Sequence, residues 1–242
     1  GRGVPTPVDP RKPAFNQILE RRAELLRAHI VLLWLQDRLD LIDIPDPKPP
    51  TGFDFVEIKS EDTREVEAML HQLGFVGRGR HRSKPVTLWT AGQARVVLNE
   101  QQARDESPHI AAIGLQVSDP DAVSRRASIL GAPAVNRRTH ASEHAFGTTI
   151  VPGGTEVFWT GATADSPRWV DEFDDGLPTT STTIRAIDHV NLTQQWETAD
   201  DARLFLMSVF GLDADDPVEV PGPRGLIRSQ VLRSADGAVR VR

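Results

Sequence analysis

The sequence predicts an α+β fold assembled from repeated strand–helix–strand units. Three observations predict it. Short runs alternate apolar and polar residues with period two, the pattern of half-buried strands. The run that opens each unit is followed by a segment of helical spacing that stops at a glycine. That order occurs three times in phase, with a period of roughly 55–75 residues, and each helix opens with acidic side chains where the helix dipole favours them.

Taken in order, GRGVPTPVDPRKP (1–13) is proline-rich and polar and is expected to be poorly ordered. Residues 14–42 place Ile18, Leu25, Leu32 and Leu33 at helical spacing, which predicts a helix. DIPDPKPPTG (43–52) follows as a stiff proline linker. GFDFVEIKS (52–60) reads as a strand. EDTREVEAMLHQLGF (61–75) reads as a helix with Val66, Met69, Leu70 and Leu73 on one face and Gly74 as its stop. GRGR (77–80), with His81 and Arg82, reads as a turn with solvated charges. HRSKPVTLWTAGQARVVLNE (81–100) reads as two strands around Ala91-Gly92-Gln93. Trp34 and Trp89 read as core or interface.

The second unit has a strand at HIAAIGLQVSD (109–119), a helix ended by Gly131 and a hairpin at TTIVPGGTEVFWTG (148–161). The third has a strand at IRAIDHVNLTQ (184–194) and a helix ended by Gly211. It finishes with LIRSQVLRSADGAVRVR (226–242), a hairpin turning on Asp236-Gly237. The expected domains are an N-terminal tail, helix and linker over 1–50, a first pair of units over 51–165, and the start of a second pair over 166–242. A fourth unit that would complete the second pair is expected and has no counterpart in the sequence.

Composition narrows the function. Net charge is -6 with both signs interspersed, so no basic stripe invites nucleic acid. No apolar run reaches the roughly 18 residues of a membrane span, and no signal peptide is visible. Cysteine and tyrosine are both absent, which excludes disulfides, thiolate chemistry and a tyrosine acid or base. These features fit a soluble protein, expected in the cytoplasm, with no nucleic-acid or membrane partner.

Paired βαβββ units resemble the vicinal oxygen chelate (glyoxalase-like) superfamily, and four units in one chain resemble 4-hydroxyphenylpyruvate dioxygenase. The matching residues are IDHVNLT (187–193), FGLD (210–213) and IRSQVLRSADGAVRV (227–241), and the resemblance covers residues 52–242. AFNQILERRAELLRAHIVLLWLQDRLD (14–40) resembles the end of a sugar-phosphate isomerase-type TIM barrel. Bacterial fusions of such a barrel to a dioxygenase-like half are similar to 3-dehydroshikimate dehydratases of quinate and shikimate catabolism. Pro13 departs from that pattern, standing where the barrel family has a metal-binding glutamate.

The resemblance implies a metal-free first pair of units and a metal-binding second pair. In one column of the opening strands stand Phe55, Ala112 and His189, and only His189 can ligate. At the end of the second unit Trp159 stands where a metal-binding unit would put its carboxylate. A site of two histidines and one carboxylate holds non-haem Fe(II) and leaves positions for a 2-oxo acid and dioxygen. His189 fits the first histidine; the other two ligands belong to the fourth unit. Asn191 shares the strand face of His189 and could orient substrate or water. Ser229, Gln230 and Ser234 lie on the hairpin that approaches substrate in the related enzymes. His140 and His144 are four apart, but Gly147 places them in a loop, against a metal site there. His109 reads as structural.

The expectation is therefore a metal-dependent, 4-hydroxyphenylpyruvate dioxygenase-like domain of aromatic catabolism, incomplete and inactive on its own. Its metal is Fe(II) if it is a dioxygenase, or Mg, Mn or Co if the parent is a dehydratase. Its ligand is a small oxo acid or aromatic-pathway carboxylate, and it is expected to be a homo-oligomer. The alternatives are a 3-dehydroshikimate dehydratase (a lyase) whose barrel lies elsewhere, and a non-enzymatic ligand-binding or dimerisation module.

Overall fold

A computed structural model describes residues 21–27, 30, 43–101, 107–161, 168–174, 183–223 and 225–242. The chain divides into two compact units, 1–44 and 45–242. In the first, residues 21–27 and 30 are helical, inside the predicted helix. Residues 1–13, the rest of that helix and Trp34 lie outside the described residues. Residues 43–51 form neither helix nor strand, as Pro45, Pro47, Pro49 and Pro50 dictate by removing backbone donors.

The second unit is built on a seven-stranded sheet of order β2-β3-β4-β1-β5-β7-β6. Its strands are β1 (Gly52–Lys59), β2 (Val76–Arg80), β3 (Val86–Ala91), β4 (Ala94–Asn99), β5 (His109–Val117), β6 (Gly147–Ile150) and β7 (Glu156–Gly161). Helix α1 (Arg64–Gln72) follows β1, and α2 (Pro120–Ile129) follows β5. β1 pairs parallel with β4, β5 pairs parallel with β7, and β1 and β5 pair antiparallel in the middle. Two copies of one strand–helix–strand unit thus meet edge to edge, as the repeat predicts.

One face of the sheet packs on helices. Val66 and Leu70 of α1 meet Trp89, Val96 and Leu98. Val123 and Ala127 of α2 meet Ile113, Leu115, Val157 and Trp159. Met69 and Leu73, read as part of the α1 face, are instead 46% and 52% exposed. A helix of 9 residues touches the sheet along a single i, i+4 row, so their positions clear it. Trp89 is buried, as the core reading required.

The other face is concave and lines a cavity. A bulge in β1 shapes it. Phe53 pairs with Leu115 and Phe55 with Gly114, so Asp54 is the extra residue. Asp54 and Phe55 consequently both reach Trp169, on the same side of the sheet. Gly114 is required opposite: a Cβ there would lie 2.3 Å from the Phe55 ring.

Three sequence readings are corrected. GRGR is not a turn: residues 77–80 belong to β2, and Arg80 is ion-paired to Glu100 at 3.2 Å. The strand expected over 184–194 is split between two partners. Arg185 carbonyl accepts from the Gln93 N–H at 2.7 Å, docking the start of the segment onto the β3–β4 turn. Val190 bridges parallel to Val241 of β12 (Arg240–Val241), and the Leu192 N–H donates to the Arg242 carbonyl at 2.7 Å. The hairpin expected over 226–242 is likewise two. β10 (Gly225–Ser229) pairs with β9 (Val218–Gly222), while β11 (Leu232–Arg233) pairs with β12 around Asp236-Gly237 and with β8 (Asp213–Ala214). Helix α3 (Trp196–Phe210) ends at Gly211 in a left-handed conformation, φ 63°, and packs Leu206, Val209 and Phe210 into the helix-side core.

Candidate functional site

The concave face encloses a cavity of about 720 Å³. Alternation along β1 sends Phe55, Glu57 and Lys59 to it, and β4 and β7 contribute Val97, Asn99, Glu156 and Phe158. Phe146, Phe158 and Trp169 surround Phe55 at centroid distances of 6.0, 6.0 and 5.1 Å. The deep part of the cup is therefore aromatic.

A charged floor crosses this apolar wall. Arg137 donates from Nη1 and Nη2 to both oxygens of Glu57, at 2.7 and 2.8 Å, the two-bond fork that suits guanidinium and carboxylate. Its Nη2 also touches Glu156 Oε2 at 2.5 Å, and its guanidinium lies 5.0 Å from the Phe158 ring centre. Asn99 Nδ2 donates to Glu57 at 2.9 Å. Burial alone would lower the Arg137 pKa; the bonds and charge of Glu57, then of Glu156, outweigh it and raise the pKa above its ordinary value.

Beneath the floor lies a second network, around Asp54, which is 0% exposed. Arg95 Nη1 donates to Asp54 Oδ1 at 3.2 Å, and Thr160 Oγ1 and Trp169 Nε1 donate to Oδ2 at 3.0 and 2.9 Å. This carboxylate ties both units to the short 3-10 helix Arg168–Glu172 that closes the cup. Burial pulls the Arg95 pKa down, and the Asp54 charge opposes it.

At the rim, His81 Nδ1 accepts from the Ser83 N–H at 3.2 Å, which leaves Nε2 to donate to Glu172 Oε2 at 2.9 Å. The other Glu172 oxygen accepts from the His144 N–H. Glu143 accepts from Lys84 at 2.7 Å, from the Ser83 hydroxyl and from the His140 N–H. Burial opposes its ionisation, but these bonds and the Lys84 charge prevail and bring its pKa down from 4.5 to about 2. His140 and His144 lie in irregular chain, as read from the sequence. His109 opens β5 with its ring on the Ser107 carbonyl at 3.1 Å.

The residues singled out in the third unit lie apart from the floor of the cup. His189 is 49% exposed, with Nδ1 on Asp188 Oδ2 at 2.8 Å, and Asp188 also contacts Arg240. The His189 bond holds the Asp188 pKa below the usual carboxylate range; burial opposes it, and the Arg240 and His189 charges add to the lowering. Asn191 is exposed, between the backbone pairings of Val190 and Leu192 with Arg240 and Arg242. Ser229 Oγ accepts from Arg242 Nε at 2.7 Å, so this serine shares the edge that carries His189. Gln230 Nε2 donates to the Asp215 carbonyl at 2.7 Å. Ser234 is 1% exposed and closes the turn, donating to Asp236 at 2.6 Å and accepting from the Val239 N–H at 3.0 Å.

Trp159 corrects the register of the second unit. It faces α2 and Phe210, with Nε1 on the Pro120 carbonyl at 3.2 Å, so the β7 positions that look into the cup are Glu156 and Phe158. The Phe55–Ala112 column does face the cup, where both pack in one aromatic core. For a metal, the fit is partial. Asp188 fixes the His189 tautomer and presents Nε2, as carboxylates behind metal-binding histidines do. Among the described residues no three His, Asp or Glu side chains gather to complete a centre.

Among the described residues one βαβββ unit and one βαββ unit share a single sheet around a cup, which defines a glyoxalase-like protein. More particularly, the family model for hydroxyphenylpyruvate dioxygenase, HPPD, N-terminal matches residues 45–165, and the chain belongs to that family. A 3-dehydroshikimate dehydratase of Pseudomonas putida is 30% identical over 209 residues, 81% of this chain and 33% of that protein. A 4-hydroxyphenylpyruvate dioxygenase of Pseudomonas sp. (strain P.J. 874) is 28% identical over 105 residues, 40% of this chain and 29% of that one. A solved xylose isomerase-like TIM barrel/4-hydroxyphenylpyruvate dioxygenase fusion protein superposes with a TM-score of 0.69 at 24% identity, over 86% of this chain and 35% of that one. The chain thus spans about a third of the length of each of these proteins. No helix among the described residues is long and apolar enough to cross a membrane.

Proposed function

We propose that this chain is the dioxygenase-like part of a longer, metal-dependent protein of quinate and shikimate catabolism. In this reading the longer protein is a 3-dehydroshikimate dehydratase, and the elimination of water takes place outside residues 45–242. The observation that carries the reading is the extent of the match. The dehydratase aligns over 209 residues, 81% of this chain, whereas the dioxygenase aligns over 105, 40% of it.

His189 is proposed as one ligand of a divalent metal held by the dioxygenase-like part, Fe(II) if that part is a working dioxygenase. Asp188 holds the imidazole so that Nε2 points outward as a donor. A bound metal of this kind polarises oxygen ligands, and one imidazole does not retain it, so the remaining donors must come from outside the described residues. The ligand class is a small oxo acid or aromatic-pathway carboxylate.

The test is to purify the protein that contains this chain and supply 3-dehydroshikimate. The expected result is a rise in ultraviolet absorbance from the aromatic product, abolished by a chelator and restored by Mg, Mn or Co. Absence of dehydration, with dioxygen uptake on adding an aromatic 2-oxo acid, would replace the lyase reading with a dioxygenase one.

A further inference from the structure

We propose that the cup between the first two units is a binding site for a small ring carboxylate, separate from His189. The cavity, about 720 Å³, has the size of small-molecule sites. Its deep wall presents the Phe55, Phe146 and Phe158 rings and the Trp169 indole, which suits a flat or cyclic apolar body.

Charge selects the rest of the ligand. The carboxylates that line the cup are all engaged: Glu57 and Glu156 with Arg137, and Glu172 with His81 and the His144 N–H. Two lining cations, Lys59 and Arg138, have no ion-pair partner among the described residues. Lys59 is half-buried, two residues beyond Glu57 on the same face of β1. Uncompensated positive charge against a partly dry wall favours an anion, and the cavity size favours a single small one.

A ring for the aromatic wall and a carboxylate for Lys59 and Arg138 together define the ligand class. This inference stands without the lyase reading, since it rests on residues 55–174 alone.

The experiment is calorimetric titration of the 242-residue chain with 4-hydroxybenzoate, beside phenol and acetate, which each lack part of the pattern. The expected result is saturable 1:1 binding of 4-hydroxybenzoate, with phenol and acetate weaker by about tenfold or more. Lys59→Gln and Arg138→Gln each weaken it by about threefold to tenfold, and the double variant by more than about tenfold. His189→Ala leaves it unchanged. Both lysine and arginine side chains reach solvent, and unchanged melting temperatures confirm that the variants fold. The proposal is overturned by no saturable heat up to about 10 mM, by binding in the double variant within about twofold of the parent, or by dependence on His189. A failed dehydration assay leaves this result untouched, so the two readings fail separately.

Discussion

Replacing Asp54 is the most demanding test of how the cup is held. In Asp54→Ala the Arg95 guanidinium, 11% exposed, loses its carboxylate, and the Thr160 hydroxyl and Trp169 indole N–H lose their acceptor. Breaking a buried ion pair from one side costs about 3–5 kcal/mol, and each orphaned donor adds about 1 kcal/mol or more. The expected loss is therefore about 5–7 kcal/mol, a large part of the stability of a domain this size. Arg95→Met should cost less, about 2–3 kcal/mol, because Asp54 keeps two hydrogen-bond donors. The double variant should be no worse than Asp54→Ala alone, giving a coupling of about 2–3 kcal/mol. Urea unfolding followed by tryptophan fluorescence measures all three, read from midpoints at constant slope. Additivity within about 0.5 kcal/mol, or a loss below about 1 kcal/mol in Asp54→Ala, would refute the reasoning that one carboxylate ties the two units together.

Two further perturbations probe the same architecture. Gly114→Ala places a methyl 2.3 Å from the Phe55 ring and should destabilise by about 1–3 kcal/mol, with Phe55→Leu in the same chain restoring part of the loss; thermal melts of the single and double variants beside the parent decide it. Glu143 has a folded pKa of about 2 against an ordinary 4.5, so its contribution is complete above pH 4.5 and is lost as pH falls toward 2. Glu143→Gln should flatten the decline of melting temperature across that window, and an unchanged acid profile would remove Glu143 from the account.

Much of the fold was legible because the repeat is local. Each opening strand, helix and stop glycine is encoded within a few dozen residues, and period and turn chemistry suffice to find them. The segment around His189 was not legible as it stands, because an alternating run becomes a regular strand only where one partner lies along it, and here the partners are remote in sequence and divided: the β3–β4 turn for Arg185 and Val241 for Val190. The orientation of Trp159 failed for a related reason: a one-residue shift in register exchanges the faces of a strand. The cup floor left little signal at all. Glu57 and Arg137 are 80 positions apart, and Arg137 sits in irregular chain. The clues in hindsight were FDFVEIK, an apolar strand carrying two acids, and a basic pair, Arg137-Arg138, just before the second hairpin.

The measurement that bears most directly on the proposed function is the rate of 3-dehydroshikimate dehydration by His189→Ala, with bound metal determined in the same sample of the longer protein. The account predicts that one metal equivalent is lost while dehydration stays within about twofold of the parent, because the lyase chemistry lies outside the dioxygenase-like part. Loss of dehydration together with that metal would contradict it, and would place the lyase centre at His189.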